Sequence, residues 1–80
     1  MTIDEFVTTM RRLKWQEPFQ QFIIELKGGR RIFVDDPDGL GFVNGSAAFI
    51  HEGGRPERFF ANEVTGVLEN VSTPSRQGVA

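Results

Sequence analysis

Residues 40–50 read LGFVNGSAAFI, two apolar runs separated by Asn44-Gly45. An Asn-Gly pair between apolar runs is the strongest short-range hairpin signal, because a type I′ turn needs positive φ at both central positions. The two-residue register places Phe42 opposite Ala47 on one side of the hairpin. The other side carries Gly41, Val43, Ser46, Ala48 and Ile50. Both sides are largely apolar, so one must meet the core and the other needs a cover.

A second hairpin is predicted just upstream, where residues 19–27 change to a strand-like alternation before Gly28-Gly29. A two-residue loop would place Leu26 opposite Arg31, so that apolar and charged side chains would share one face of the hairpin. A three-residue loop, Gly28-Gly29-Arg30, pairs Leu26 with Ile32 instead and leaves a glycine free for the left-handed bulge position. We therefore predict the bulged three-residue loop.

The N-terminal segment predicts a helix. Thr2 and Glu5 form a capping-box pattern, so the helix should begin at Ile3. Pro18 disfavours helical geometry at the residue before it, so the helix should end near Lys14 or Trp15. The stripe at helical spacing consists of Ile3, Phe6, Val7, Met10 and Leu13. This stripe is the nearest candidate to cover the second apolar face of the 40–50 hairpin.

The remaining segments complete a mainly β, α+β fold. Residues 35–39 form a turn, residues 52–57 a polar loop, and residues 58–61 and 64–69 short strands around a single turn. We predict the N-terminal helix followed by a five-stranded, sequentially paired antiparallel sheet, strongly bent or partly open as a barrel of the SH3-like or Sm-like kind. This domain takes residues 1–71, and residues 72–80 form a disordered tail. Phe59 and Phe60 must point opposite ways, and the sequence leaves open which one faces the core.

Composition narrows the function class. The chain has 80 residues, a formal charge of −2 and no cysteine, which excludes disulfide frameworks and zinc fingers and fits a reducing compartment. Its first residues lack a secretory signal, and no run reaches membrane-spanning length, so we expect a cytoplasmic protein without a membrane partner. The mixed charges disfavour nucleic acid.

The stretch from Pro18 to Val34, followed by Pro37, resembles a group of short uncharacterised bacterial proteins with the pattern P-F-x-x-F-x-I-x-L-x-x-G-R-x-x-x-V-x-x-P. This resemblance implies a small β-rich domain and no catalytic residues. The layout, a helix followed by bent strands, is more loosely similar to Sm-like RNA-binding proteins. The Asp and Asn positions that contact RNA in Sm-type motifs have no clear counterpart here.

No residue set predicts catalysis, a cofactor or a metal site. His51 is the only histidine, and none of the hydroxyls lies in a nucleophile-elbow context. Asp35, Asp36 and Asp38 superficially suggest a calcium loop, but Pro37 interrupts them and the distal glutamate is missing. Turn chemistry explains these residues. We therefore predict a protein that is not an enzyme.

We therefore predict a small non-catalytic protein-interaction module. The simplest interaction of this kind is self-association. The alternative is a nucleic-acid-binding Sm-like domain that uses a cluster of loop arginines with aromatic stacking. A continuous basic stripe would favour nucleic acid, whereas mixed charge around an apolar patch would favour protein. The residues predicted for the binding surface are Arg30, Arg31, Phe33, Arg55, Arg58 and Phe59.

Overall fold

The computed structural model describes residues 1–51 and 54–69 as one helix and six strands. The elements are α1 (Ile3–Lys14), β1 (Phe22–Leu26), β2 (Arg31–Val34), β3 (Leu40–Val43), β4 (Ser46–Ile50), β5 (Pro56–Phe60) and β6 (Val64–Glu69). Two antiparallel three-stranded sheets form, sheet 1 in the order β2-β1-β6 and sheet 2 in the order β3-β4-β5. The predicted α+β class with an N-terminal helix is confirmed.

The strand count and pairing differ from the prediction of five sequentially paired strands. The described residues contain six strands, and the two sheets do not close into a barrel. β6 pairs with β1 and not with β5, because the 3₁₀ turn Ala61–Glu63 carries the chain from sheet 2 back to sheet 1. The two final strands therefore belong to different sheets, although only one turn separates them.

Local signals set the bounds of α1. The Thr2 hydroxyl accepts from the Glu5 backbone N–H at 3.1 Å, and the Glu5 carboxylate accepts from the Thr2 N–H at 2.9 Å. These hydrogen bonds satisfy free N–H groups at the helix start and lower the pKa of the Glu5 carboxyl. The helix ends at Lys14, as predicted.

The 40–50 hairpin has the predicted two-residue register, with Phe42 opposite Ala47. Of the two turn residues only Asn44 has a positive φ, 51°, so the expectation of positive φ at both positions is wrong. A Cβ built on Gly45 would lie 3.1 Å from the Ile3 side chain, tighter than most packing contacts. The start of α1 therefore packs directly against this turn.

The first hairpin has a three-residue loop, but the loop is Lys27–Gly29 and not the predicted 28–30. The register pairs Ile24 with Ile32, two residues away from the prediction. Because a shift of two residues preserves the period of a strand, the faces remain as predicted. Gly28 and Gly29 both take positive φ, 79° and 82°, which explains the paired glycines.

One core lies between the two sheets and the helix. From α1 it receives Phe6, Met10 and Leu13, which pack in the same cluster as the inner residues of both sheets. The Phe6 and Phe59 rings meet edge to face, with centroids 5.9 Å apart. The helix thus covers the inner side of sheet 2. The expectation that its apolar stripe would cover the second face of the 40–50 hairpin is wrong, and Ile3 of that stripe is itself exposed.

Polar contacts from the last turn of α1 reach both sheets. Arg12 makes two parallel hydrogen bonds, 3.0 and 2.9 Å, to the Glu69 carboxylate at the end of β6. The Lys14 ammonium donates to the Pro37 and Leu40 carbonyls next to β3. Since these contacts join α1 to both sheets, they hold the helix over the core between them.

Within the described residues no helix has the length and apolar character needed to cross a membrane. The predicted disordered tail, residues 72–80, lies outside the described residues, as does part of the polar loop predicted at 52–57.

The capping box predicts a specific stability loss. Replacing Thr2 with alanine removes the acceptor for the Glu5 N–H and should lower the free energy of unfolding by about 1 kcal/mol. Urea denaturation followed by circular dichroism measures it. Thr8→Ala, at an exposed position inside the same helix, is the matched control and should not destabilise. Equal midpoints for Thr2→Ala and the unmodified protein would show that the cap contributes nothing.

The ion pair between Arg12 and Glu69 predicts a pH dependence. The guanidinium lowers the pKa of the Glu69 carboxyl, so the ionised form stabilises the fold. Both side chains are well exposed, so Glu69→Gln should cost only about 0.5 kcal/mol at neutral pH. This cost should persist above the ordinary glutamate pKa and vanish as the pH falls through the lowered pKa of Glu69. Urea midpoints across acidic pH test this, with Glu17→Gln as an exposed control; a cost independent of pH would exclude the ion pair as its cause.

Candidate protein-binding surface

The outer face of sheet 2 points away from the core and is built from the residues that alternate with the buried ones. Register places its side chains in two complete cross-strand rows and one shorter row. We call them the ridge row (Val43, Ser46, Phe60), the groove row (Gly41, Ala48, Arg58) and the end row (Ile50, Pro56). Apart from Arg58 and Ser46, these residues are apolar or glycine, so this second face is as apolar as the sequence predicted.

A groove of about 460 Å³ crosses this face and is lined by the ridge row and the groove row. Gly41 and Ala48 have little or no side chain, so they form a low floor beside taller neighbours. Val43 is 70% exposed and Phe60 is 52% exposed. Large apolar side chains that stand free beside a recessed strip are typical of protein-binding surfaces.

The apolar surface continues beyond the sheet to the start of α1. Phe60 also borders a second groove, of similar volume, that is lined by Ile3 and Gly45. Ile3 is 56% exposed, although it begins the apolar stripe of the helix. The free apolar side chains of α1, β3 and β5 therefore meet around the Asn44-Gly45 turn and form one continuous patch.

Arg58 is the one charged residue on the outer face of sheet 2. Its side chain is exposed, and among the described residues it has no hydrogen bond or ion pair. Some other surface charges are paired, such as Arg31 with Glu25 at 3.0 Å. A single cation on an apolar groove favours a ligand that brings apolar side chains and a carboxylate.

The edges of sheet 2 are poorly suited to adding a strand. The Phe60 N–H donates to the Glu63 carboxylate at 2.9 Å, and so points away from β4. Residues 56 and 58 share that direction by alternation, but Pro56 has no N–H to offer. On the opposite edge the Lys14 ammonium donates to the Leu40 carbonyl. These contacts occupy part of each edge of sheet 2, so the outer face is the better surface for docking.

The arginines predicted for a binding surface are not brought together on one sheet. Arg30 and Arg31 line a cavity at the first hairpin, on sheet 1. Arg58 lines the groove of sheet 2, and Arg55 lies just before β5, in exposed chain. Arg31 is already paired with Glu25, so charges of both signs lie at this end of sheet 1.

The two predicted aromatic residues are placed differently from each other. Phe33 is half-buried on the outer face of sheet 1 and lines a cavity with Asp35 and Asp36. Phe59 is completely buried, so its ring cannot form part of a surface. Phe60 takes the exposed place instead. Strand alternation requires the two rings to point opposite ways, but the sequence does not indicate that Phe60 is the one at the surface.

His51 lies at the exposed end of β4 and contacts the Glu57 carboxylate at 3.3 Å. Asp36 accepts from the Asp38 N–H at 3.0 Å, which is turn chemistry. In the part of the chain that the structure describes, no group of three or more potential ligand side chains is placed to hold a metal ion.

No protein-family model matches the chain, and comparisons with curated proteins and with solved structures find no match either. The resemblance to short bacterial proteins stays a prediction, and the interpretation of the surface rests on its geometry and chemistry.

The adjacent phenylalanines of β5 give a matched pair for testing which ring is buried. Phe59→Ala removes a buried ring that contacts Phe6 and should lower the free energy of unfolding by about 3–5 kcal/mol. Phe60→Ala removes an exposed ring from the same strand and should cost less than about 1 kcal/mol. Urea denaturation of both variants checks this. Similar losses for both, or a larger loss for Phe60→Ala, would contradict the placement of β5.

Proposed function

We propose that this protein is a small non-catalytic protein-interaction module that binds its partner on the outer face of sheet 2. The observation that carries the proposal is the groove between the ridge row and the groove row, with large free apolar side chains beside a glycine-alanine floor. The partner is a folded protein surface that offers apolar side chains and a carboxylate for Arg58.

Three features support a protein partner over nucleic acid. Four of the exposed large apolar side chains, Ile3, Val43, Ile50 and Phe60, lie on or beside the outer face of sheet 2, and such a patch marks a protein-interaction site. The exposed charges are of mixed sign, whereas nucleic-acid binding draws on a continuous basic surface. Of the two rings predicted to stack on a base, Phe33 and Phe59, Phe59 is buried in the core and Phe33 is half-buried on sheet 1.

We also propose that the fold is an opened relative of the SH3-like or Sm-like barrels. Its N-terminal helix and the pairing of the last strand with the first support this likeness. An experimental structure that placed the first and last strands in separate sheets would remove it.

Site-specific photo-crosslinking tests the interaction module. We expect benzoylphenylalanine at position 43, on the ridge row, to give protein adducts in the cells that contain this protein. The matched control is the same residue at position 68, which is exposed on the outer face of sheet 1. Position 43 should give at least severalfold more adduct, and Arg58→Glu should reduce that yield because it repels the partner's carboxylate.

Two outcomes would overturn the proposal. One is an equal adduct yield at positions 43 and 68. The other is a set of adducts that disappears on nuclease treatment, since this would assign the surface to nucleic acid. Adducts at position 43 that survive nuclease treatment would support it, whether their mass shows the 9.0 kDa chain itself or another protein.

A further inference from the structure

We propose that the partner of the outer face of sheet 2 is a second copy of this chain, held face to face about a two-fold axis that runs across the strands between the ridge row and the groove row. This inference rests on the proposed function and names the partner of the same surface. It follows from the order of side chains on the face, which is complementary to itself.

The two-fold axis brings each row onto the other row of the second copy. Register aligns Val43 with Ser46 and Phe60, and Gly41 with Ala48 and Arg58, so the two rows run in parallel across the same three strands. Rotation about an axis midway between them therefore sets each strand over its own copy. Val43 then meets the open space over Gly41 of the other copy, and Ser46 meets Ala48. Two packed sheets prefer such aligned contacts.

The same rotation places Phe60 over Arg58 of the second copy. A guanidinium stacks favourably on an aromatic face, and Phe60 is exposed enough to receive it. Glu63 lies beside Phe60, since one of its carboxylate oxygens accepts from the Phe60 N–H. The other oxygen is available to a cation. Each copy thus supplies the carboxylate that the unpaired Arg58 of the other copy needs, and the two contacts are identical by symmetry.

The rotation also covers the rest of the patch. The end row lies two residues beyond the groove row along each strand, so in the second copy it faces the Asn44-Gly45 turn and Ile3. Ile50, which is 56% exposed, then packs against Ile3 of the other copy. The exposed apolar side chains of sheet 2 and of the helix start are buried in one symmetric contact.

The size of the face limits the strength of this dimer. Three strands about 4.8 Å apart and four or five residues long give a footprint of roughly 14 by 15 Å. Stable dimers bury more than this, so association is weak and depends on concentration. Sedimentation velocity from about 20 µM to about 1 mM covers the range in which a small interface associates. The average mass should rise from 9.0 kDa towards twice that value.

Complementary charge variants test the contact between copies. Arg58→Glu places two acidic residues at each contact of its own dimer, and Glu63→Arg places two basic ones, so each variant alone should associate at least tenfold more weakly. Mixed together, the two variants restore an opposite-charge pair at both contacts. The mixture should therefore sediment as a heterodimer with an affinity close to that of the unmodified protein. Restoration by mixing cannot arise from misfolding of either variant.

A second pair of variants tests the face itself. Gly41→Leu adds a side chain on the outer face, at a position where a Cβ meets no other atom within 4 Å in the same chain. Circular dichroism of the variant checks that the monomer keeps its fold. The added side chain fills the space that Val43 of the second copy needs, and association should fall at least tenfold. Leu68→Ser, on sheet 1, is the control and should leave the dissociation constant unchanged.

Each result separates this inference from the proposed function. A chain that stays monomeric at about 1 mM overturns the second copy, while photo-crosslinking at position 43 still decides whether another protein binds there. A dimer that Leu68→Ser disrupts, or that the mixed charge variants fail to restore, overturns the face-to-face arrangement. The arrangement is supported if the average mass rises with concentration, if Gly41→Leu weakens this association, and if mixing the two charge variants restores it.

Discussion

The edge-to-face contact between Phe6 and Phe59 joins the helix to sheet 2, and the other features of that sheet follow from it. With Phe59 fixed in the core, the alternation of a strand turns Arg58 and Phe60 outwards. Pairing with β4 then fixes which residues of β3 and β4 share the outer face. The apolar outer face is thus a consequence of the same strand register that buries the core residues. Within residues 1–51 and 54–69 no element covers it, because α1 is already used on the inner side.

Local interactions account for what the sequence predicted correctly. The capping box at Thr2 sets the helix start, and Asn44-Gly45 sets the register of the 40–50 hairpin. Both signals act within a few residues, so they can be read without knowing the rest of the fold. The first hairpin shows the limit of such reading, since two glycines allow more than one three-residue loop with the same faces.

Pairings between distant segments account for what the sequence did not show. Nothing near β6 indicates that it lies beside β1, and the strand count and sheet order depend on this pairing. The choice between Phe59 and Phe60 was hidden for a related reason. The chain between β4 and β5 is longer than a tight turn, so turn geometry does not set their register. The exposed Phe60, and with it the candidate surface, could be located only once the register with β4 was known.

Pro56 and the Glu63 carboxylate also decide how far assembly can go. An apolar sheet with a free edge can recruit one strand after another, and such growth has no natural end. Here the edge of β5 lacks a donor at Pro56, and its donor at Phe60 is occupied by Glu63, so only the Arg58 N–H of the three outward positions is free to pair. The outer face, by contrast, cannot bind a further chain once a partner covers it. In the proposed dimer each copy buries the apolar outer face of the other. Assembly therefore stops at two chains and does not extend into a filament.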